Sequence, residues 1–331
     1  MATFFHEADV DPGIIKSKKV AVLGYGNQGH AHALNLRDQG VDVRIGLPAE
    51  SASRARAAEA GFTVGLASEV VPWADVVMFC TPDVAMKELY CAEVVDGLRS
   101  GQALLFAHGF AIHYGLIQPP PFVDVAMVAP KGPGYRLREE FQNGSGLLAL
   151  VAVQQDFTGQ AKEIALSYAW GIGCARAGIM ETTFREETEC DLFGEQAVLC
   201  GGMSALIKAG FETLVEAGYQ PEAAYFECLH ETKLIVDLLY VGGLNYMRSA
   251  ISDTAEWGDY TAGPKIVDDH TRQAMRDILK RVQDGSFARE WVAEHEAGRP
   301  HMKAFQERES KHPIEAVGRS LRALMPFIKA K

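Results

Sequence analysis

Two pairs of acidic residues are the side chains in this sequence best suited to bind a metal ion. Asp191 and Glu195 form the first pair, and Glu227 and Glu231 form the second. Residues four apart on an α-helix lie on one face, so each pair places two carboxylates side by side. Like charges at this spacing destabilise a helix. Folding alone therefore gives no reason for either pair, whereas a bound cation would.

The donor atoms and the neighbouring residues indicate which cation. Four carboxylates balance the charge of two divalent ions, and donors that are all oxygen favour Mg²⁺ over Zn²⁺ or copper. Residues 197–203 and 223–239, which adjoin or contain the pairs, are rich in apolar residues. A carboxylate is costly to bury there unless it is paired or ligated. Two solvated helix faces are the alternative, and the residues alone leave both interpretations open.

A glycine-rich motif near the N-terminus predicts a second kind of site. The apolar run 19–23 is followed directly by Gly24-Tyr25-Gly26-Asn27-Gln28-Gly29 and then by a helical pattern that stops at Gly40. In the order strand, G-x-G-x-x-G, helix, the glycines let a pyrophosphate approach the N–H groups at the helix N-terminus. We predict that this loop binds a dinucleotide.

The loop after the second predicted strand is expected to decide which dinucleotide binds. It carries Glu50, Ser51 and Ser53. A carboxylate there accepts a hydrogen bond from a ribose 2′-hydroxyl and repels a 2′-phosphate, which favours NADH. Glu50 could instead serve only the N-terminus of the next helix, and Arg54 and Arg56 are close enough in sequence to reach a phosphate. The sequence thus favours NADH and leaves NADPH open.

Three later strands are predicted to end in polar or glycine-rich loops. The strands, each with a polar residue of the loop after it, are 74–80 with Asp83, 102–107 with His108 and 124–129 with Lys131. Ligands bind at the carboxyl ends of the strands in open α/β sheets. His108 and Lys131 are therefore candidates for catalysis, although a lone histidine is usually structural and a lone lysine is usually solvated.

The order of the predicted elements divides the chain in two. Strands alternate with helices up to residue 182, and helical periodicity takes over from there. We expect an α/β fold with a Rossmann-type dinucleotide-binding domain at 1–182 and an all-α domain at 183–331. Breaks or caps of the later helices are expected at Gly201-Gly202, Gly218, Gly242-Gly243 and Gly258.

Composition and charge argue against several classes of partner. The 331 residues carry a formal net charge of −11, which argues against nucleic acid or an anionic membrane. We find no signal-peptide pattern and no apolar run long enough to span a bilayer, and the six cysteines lack the spacing of metal or disulfide sites. We therefore expect a cytoplasmic protein with no nucleic-acid and no membrane partner.

A nicotinamide site together with a site for two Mg²⁺ ions suggests a reaction of two steps. Hydride transfer to a carbonyl does not need two metal ions, but metal ions that polarise adjacent oxygens would let a carbon skeleton rearrange before reduction. Other protein classes leave a feature unexplained. A metal-free hydroxyacid or imine dehydrogenase, or a non-catalytic NAD sensor, leaves the carboxylates without a role. A magnesium-dependent phosphohydrolase leaves the glycine loop idle.

The chain resembles ketol-acid reductoisomerases (acetohydroxyacid isomeroreductases) of the short, class I form over essentially its whole length. The matching stretches are 24–32, 129–134, 191–199, 226–231 and 252–256. The family converts 2-acetolactate, or 2-aceto-2-hydroxybutyrate, to the 2,3-dihydroxy acid in branched-chain amino-acid synthesis. A Mg²⁺-dependent alkyl migration precedes reduction by NAD(P)H. The resemblance implies an intertwined, knotted helical domain and at least a homodimer, with a dodecamer left open.

The resemblance also implies roles for the two acidic pairs. Asp191 would bridge two Mg²⁺ ions and Glu195 would complete the first site. Glu227 and Glu231 would serve the second site from a partner subunit, and Glu231 would also be a candidate proton carrier.

Further roles implied by the resemblance concern substrate and cofactor. Ser252, which from its sequence context could equally be a helix cap, would hold the substrate carboxylate. His108 and Lys131 would support charge and proton movements. The residues that would line the cofactor are Tyr25 to Gln28, Asp83, Val84, Ala85, Met86 and Gly134. Most members carry an arginine followed by serines in the cofactor loop and use NADPH. This chain has Pro48-Ala49-Glu50 there and retains only Ser51 and Ser53, a departure that favours NADH, the cofactor of a minority of members.

Overall fold

The structure is a computed structural model that describes residues 2–327, so the outer limits 1 and 331 of the predicted domains lie outside the described residues. The chain divides into two compact units, one up to Cys190 and one from Asp191 onward. Residues 182 and 183, between which the domain boundary is predicted, lie in the short connection that precedes the helix Phe184–Gly194. That boundary stays a prediction.

Nine strands form one sheet in the described part of the first unit. They are β1 Phe4–Phe5, β2 Lys19–Leu23, β3 Asp42–Gly46, β4 Thr63–Gly65, β5 Val76–Phe79, β6 Ala103–Phe106, β7 Asp124–Pro130, β8 Ala149–Gln155 and β9 Ile179–Glu181. Their order is β1-β9-β8-β7-β6-β5-β2-β3-β4. The run from β4 to β7 is parallel throughout. This run has the strand order of a Rossmann fold, in which the order reverses between β2 and β5.

Helices cover the sheet of the first unit. They are α1 Pro12–Lys16, α2 Asn27–Asp38, α3 Ser53–Glu59, α4 Ala67–Val70, α5 Asp83–Leu89, α6 Phe110–His113, α7 Gly134–Gln142 and α8 Ala161–Gly171. The central strands are apolar on both faces: Val20 and Val22 of β2 belong to one buried cluster, and Ala21 and Leu23 to another. Successive side chains of a strand point to opposite faces, so a continuous apolar run is what a sheet covered on both sides requires.

Helices dominate the rest of the described chain. They are α9 Phe184–Gly194, α10 Gly201–Glu216, α11 Pro221–Tyr225, α12 Thr232–Ser249, α13 Asp253–Ile266, α14 Asp269–Gln283, α15 Ser286–Glu296, α16 Pro300–Ser310 and α17 Pro313–Ala323. Two π-helical turns, Glu195–Leu199 and Phe226–His230, interrupt this series. The predicted fold class, an α/β Rossmann-type domain followed by a helical domain, is confirmed. The predicted intertwining with a second chain stays a prediction.

The helical unit exposes many large apolar side chains. Its buried cluster is small and centres on Phe211, Tyr225 and Ile314. Exposed apolar residues include Leu199, Leu206, Leu234, Tyr240, Val241, Leu244 and Trp257. Contrary to the expectation from the sequence, the helical stretch Phe184–Glu216 is long and apolar enough to cross a membrane by length and composition alone. It contains Asp191 and Glu195, and a single such stretch is weak evidence for a membrane span.

Candidate active site

The turn from β2 into α2 is tight at its first glycine and open at its second. Gly24 has a φ of 104°, and a Cβ atom there would lie 2.7 Å from the carbonyl oxygen of Cys80. A Cβ atom on Gly26 would meet no atom of the described residues within 4 Å. The first position therefore requires glycine for folding, whereas the second leaves space for the backbone of a dinucleotide.

A crevice of about 510 Å³ opens at the carboxyl ends of β2, β3 and β5. This is the point of strand reversal at which Rossmann folds bind dinucleotides. Of the residues predicted to bind the cofactor, those that line the crevice are Gly24, Tyr25, Gly26, Ser51, Ser53 and Ala85. Within residues 2–327, those that do not line it are Asn27, Gln28, Gly29, Glu50, Asp83, Val84, Met86 and Gly134. The structure thus gathers the glycine loop with the two serines of the cofactor loop.

The two arginines that follow the cofactor loop bind backbone carbonyl groups. Arg54 Nη1 donates to Leu47 O at 2.8 Å and to Gly65 O at 3.3 Å, which links the ends of β3 and β4. Arg56 Nη2 donates to Tyr25 O at 3.0 Å, which links α3 to the glycine loop. Glu50 is exposed in the loop between β3 and α3. The loop therefore has an exposed carboxylate, whereas both guanidinium groups stabilise the neighbouring backbone through hydrogen bonds.

The segment after β7 packs against the start of α2. A Cβ atom on Gly134 would lie only 1.7 Å from Asn27 O, so the two backbones touch at this point. Gln28 Nε2 donates to Gly132 O at 2.9 Å. These contacts fix the loop that carries Lys131 relative to the glycine loop. Gly134 thus acts through packing in this structure.

Lys131 and His108, which follow β7 and β6, meet at a carboxylate that was not among the residues predicted from the sequence. Lys131 Nζ lies 2.8 Å from Oε1 of Glu187, and His108 Nδ1 lies 3.0 Å from Oε2 of the same residue. The backbone N–H of Gly109 donates to Glu187 Oε2 at 3.1 Å. The Glu187 side chain is 1% exposed, whereas those of His108 and Lys131 are 18% and 30% exposed. The buried Glu187 carboxylate thus binds two partly exposed groups, the imidazole of His108 and the ammonium group of Lys131.

Electrostatics keep Glu187 ionised. Burial by itself raises the pKa of this carboxyl group, but the hydrogen bond and charge of His108, followed by those of Lys131, outweigh burial and lower the pKa to about 2. A carboxylate with so low a pKa stays charged at any physiological pH. The arrangement can therefore orient an ammonium group and an imidazole without taking up a proton itself.

A sequence signal for Glu187 was available. It stands four residues before Asp191, as Asp191 stands four before Glu195. Both Glu187 and Asp191 lie on α9, so the acidic series runs through three positions at helical spacing. Treating the carboxylates only as pairs hid the first member of this series.

The four predicted metal ligands lie at or near the π-helical turns. Glu195 begins one π turn, and Glu227 lies in the other, which ends just before Glu231. The N–H of Glu231 donates to Phe226 O at 2.9 Å, an i to i+5 bond that replaces the α-helical pattern assumed from the sequence. Such turns are frequent at functional sites.

Within residues 2–327 of a single chain, the four predicted ligands do not form one cluster. In the described part of a single chain, no three of the four carboxylates bring their oxygen atoms together. Asp191 is partly buried, and Glu195, Glu227 and Glu231 are exposed. The donor set itself, carboxylate oxygen throughout, suits Mg²⁺.

Ser252 caps α13. Its Oγ atom accepts a hydrogen bond from the N–H of Ala255 at 3.2 Å, and the residue is exposed. The cap uses a lone pair of the hydroxyl group and leaves its proton able to donate. The cap expected as one alternative is thus observed, and a donor role toward substrate stays a prediction.

Comparisons with known proteins agree over both units. The family model described as "Acetohydroxy acid isomeroreductase, NADPH-binding domain" matches residues 14–178, and "Ketol-acid reductoisomerase, C-terminal domain" matches residues 184–327. A ketol-acid reductoisomerase (NADP(+)) of Saccharopolyspora erythraea is 60% identical over 328 residues, which is 99% of each protein.

Solved structures give the same assignment. The structure of an NADH-preferring ketol-acid reductoisomerase from an uncultured archean is 44% identical, with a TM-score of 0.95 over 99% of this chain and 100% of that one. An NAD-binding semialdehyde dehydrogenase protein of Cupriavidus necator has 17% identity and a TM-score of 0.62 over 81% of this chain and 99% of that one, and is similar in fold alone. A metal-free dehydrogenase is thus not favoured. The chain belongs to the ketol-acid reductoisomerase family and is an NAD(P)H-dependent oxidoreductase of branched-chain amino-acid biosynthesis.

Proposed function

We propose that this ketol-acid reductoisomerase binds two Mg²⁺ ions at a site shared by two copies of the chain. Asp191 and Glu195 would come from one copy, and the remaining ligands would be the partner's Glu227 and the partner's Glu231. The single observation that supports this most directly is that no three of these carboxylates converge in the described part of one chain, although all four lie at or near π turns. Their charges would repel without a cation between them.

The proposed substrate is 2-acetolactate or its ethyl homologue. When bound, the two Mg²⁺ ions would polarise the carbonyl and hydroxyl oxygens of the substrate, and NAD(P)H would supply the hydride after the alkyl shift from C2 to C3. We assign to Ser252 a hydrogen bond from its hydroxyl proton to the substrate carboxylate. The N-cap contact with Ala255 fixes the direction of that hydroxyl group.

We propose that His108, Lys131 and Glu231 handle protons during the reaction. Lys131 is charged, partly exposed and held 2.8 Å from Glu187, so its ammonium group would stabilise negative charge as the C2 hydroxyl loses its proton. His108 shares the same carboxylate, which would set the orientation of its ring. Glu231 is exposed in one chain and would carry a proton at the substrate oxygen. Glu187 would position both neighbours without touching the substrate.

We further propose that NADH is preferred to NADPH. Glu50 is exposed in the cofactor loop, where its charge would repel a 2′-phosphate. Arg54, which could otherwise attract that phosphate, donates to two backbone carbonyl groups instead. Relatives differ on this point, because the Saccharopolyspora erythraea protein is named for NADP(+), whereas the archaeal protein is described as NADH-preferring. The proposal therefore rests on the loop of this chain.

The proposed working form is a homodimer at least, located in the cytoplasm. Exposed apolar residues of the helical unit, such as Leu199, Val241 and Leu244, support an additional covering chain. The biosynthetic role of the family supports a cytoplasmic location.

The test measures turnover of 2-acetolactate through the oxidation of NADH or of NADPH. Each assay is run with Mg²⁺ and then with excess chelator. Turnover that stops on chelation and has a higher kcat/KM with NADH would support the whole proposal. A higher kcat/KM with NADPH would keep the metal chemistry and reject the role of Glu50. Turnover that is indifferent to chelator would reject the two-Mg²⁺ site.

A further inference from the structure

We infer that Thr81 is a cofactor-binding residue whose hydroxyl group donates a hydrogen bond to a sugar–phosphate oxygen common to NADH and NADPH. Thr81 follows β5 and lines the crevice together with Gly24 and Gly26. The inference rests on the proposed use of this crevice by the dinucleotide and adds a contact that is independent of the cofactor loop.

The Thr81 hydroxyl group is an unsatisfied polar group. Thr81 Oγ1 is buried and has no hydrogen-bond partner within residues 2–327. Buried hydroxyl groups are normally hydrogen-bonded, and one left alone costs free energy in the free protein. A ligand oxygen in the crevice would satisfy it.

Thr81 does not use its hydroxyl group to cap the helix that follows it in the described structure. Thr81 directly precedes Pro82, the N-cap of α5, and a threonine near this position often accepts from the N–H groups of the first turn. Pro82 makes no side-chain cap hydrogen bond, and Thr81 Oγ1 has no hydrogen-bond partner within residues 2–327. The hydroxyl group is therefore not used to hold its own helix.

Thr81 lies beside the glycine loop. A Cβ atom on Gly24 would lie 3.2 Å from the backbone nitrogen of Thr81, so the first glycine of the loop and Thr81 are direct neighbours. Both stand at the strand reversal between β2 and β5, where the sugar–phosphate part of a dinucleotide lies. The Thr81 hydroxyl group is on the β5 side of this point, whereas Ser51 and Ser53 belong to the loop after β3. It should therefore act on both cofactors alike.

The test compares Thr81→Val, which removes the hydroxyl group at nearly constant shape, with Thr81→Ser, which keeps it. The dissociation constants of NADH, NADPH and ADP-ribose are measured on the full-length protein, together with the melting temperature without cofactor. We expect Thr81→Val to weaken all three ligands by about 3- to 10-fold with an unchanged NADH to NADPH ratio. Its melting temperature without cofactor should be equal to or above that of the wild type, because an unsatisfied group is lost. Thr81→Ser should bind as the wild type does.

Tyr90→Phe is the matched control. The Tyr90 hydroxyl group is also buried without a described hydrogen-bond partner, but Tyr90 does not line the crevice in the described part of the chain. Its removal should leave all three dissociation constants unchanged.

Several results would overturn the inference. Unchanged dissociation constants in Thr81→Val would reject it while leaving the crevice as the dinucleotide site. A changed ratio of the NADH and NADPH dissociation constants would show that Thr81 contacts the 2′ position instead. An unchanged dissociation constant for ADP-ribose would show that it contacts the nicotinamide. A lower melting temperature that accompanies weaker binding would indicate a structural role, and Thr81→Ala would then serve as the second variant. If the wild type bound neither cofactor, the proposed function would fail as well.

Discussion

Glu187 receives three donors on two oxygen atoms. Lys131, His108 and the N–H of Gly109 all lie within 3.1 Å of it, and almost none of its side chain is exposed. A buried carboxylate is stable only when it is paired in this way. Removing its charge would leave the ammonium group of Lys131 without the anion that fixes its position.

We therefore predict that Glu187→Gln lowers kcat by about 100-fold, a size typical of misplaced proton-transfer groups. The KM for cofactor should change little, because Glu187 does not line the crevice in the described structure. Steady-state kinetics with 2-acetolactate measures both values. Glu186→Gln, at an exposed position on the same helix, is the control and should keep wild-type kcat. An unchanged kcat in Glu187→Gln would contradict the assigned role.

The same residue predicts a pH dependence of stability. The pKa of Glu187 is about 2 in the folded protein, against an ordinary value of 4.5, so the unfolded chain binds the proton more readily. Its stabilising contribution is fully present above about pH 5 and is lost as the pH falls toward 2, by on the order of 3 kcal/mol. Melting temperatures recorded from pH 6 to pH 2 should fall more steeply for the wild type than for Glu187→Gln. Parallel curves would refute this.

Glu50 is the residue proposed to select the cofactor. Glu50→Gln removes one negative charge from an exposed loop and keeps its shape. We predict that the ratio of kcat/KM for NADH over NADPH falls by about 2- to 5-fold, since exposed charge interactions are worth up to about 1 kcal/mol. Glu59→Gln, exposed at the far end of α3, is the control and should leave the ratio unchanged. A ratio that stays constant in Glu50→Gln would show that the loop charge does not select the cofactor.

At the scale of elements, two glycines at helix N-termini have different roles, one in packing and the other in the proposed binding of the cofactor. Gly134 begins α7 where it touches the start of α2, and Gly26 faces open space at the N-terminus of α2. An added methyl group should therefore lower stability at Gly134 and weaken cofactor binding at Gly26.

We predict that Gly134→Ala destabilises the protein by about 1–3 kcal/mol or more, because a Cβ atom there overlaps the carbonyl oxygen of Asn27. Gly26→Ala should leave the melting temperature nearly unchanged and weaken cofactor binding by about tenfold, since its Cβ atom projects where a pyrophosphate approaches. Thermal melts and cofactor titrations measure the two effects. Equal losses of stability in both variants would contradict the distinction.

Much of the element order followed from the sequence, and the exceptions have physical reasons. The buried runs at β2, β5, β6 and β7 were predictable because parallel central strands are apolar throughout. β1 and β9 have two and three residues, too few for any period to show. Gly258 was expected to break a helix, but α13 passes through it with helical backbone. Gly243 does break the helical backbone of α12, with a φ of 75°.

The residues of the candidate site that directly follow a strand could be predicted from the sequence. The glycine loop, His108 and Lys131 follow strand ends, and strand ends can be read from hydrophobic runs. Glu187 could be found only from the acidic spacing that it shares with Asp191, and the π turns depend on a shift of hydrogen bonds by one residue. Neither property is visible in the spacing of apolar residues.

At the scale of the whole molecule, the helical unit has the exposed apolar surface that the proposed second copy would cover. Tyr240, Val241 and Trp257 are 87%, 72% and 71% exposed, and contiguous exposed apolar side chains are typical of interaction surfaces. The proposed metal ligands lie on this same unit and do not converge in the described part of one chain. Both observations are explained if a second copy covers the apolar helices and completes the metal site.

This arrangement predicts complementation between two inactive variants. Glu195→Gln and Glu231→Gln should each abolish turnover as homodimers, because every site loses one ligand. When the two variants are co-expressed with different tags, each mixed dimer should contain one site with both substitutions and one site with neither. Random pairing then restores about one quarter of wild-type activity, since half of the dimers are mixed and half of their sites are intact.

The controls use the same two chains. A double variant carrying both substitutions, co-expressed with the wild type, should yield mixed dimers in which each site has lost one ligand, so that activity comes only from wild-type dimers. Purification through both tags isolates the mixed species in each experiment. If the ligands of one site all came from one chain, the mixed dimer of single variants would be inactive. The mixed dimer of the double variant and wild type would then keep one intact site, so the two possibilities give opposite results.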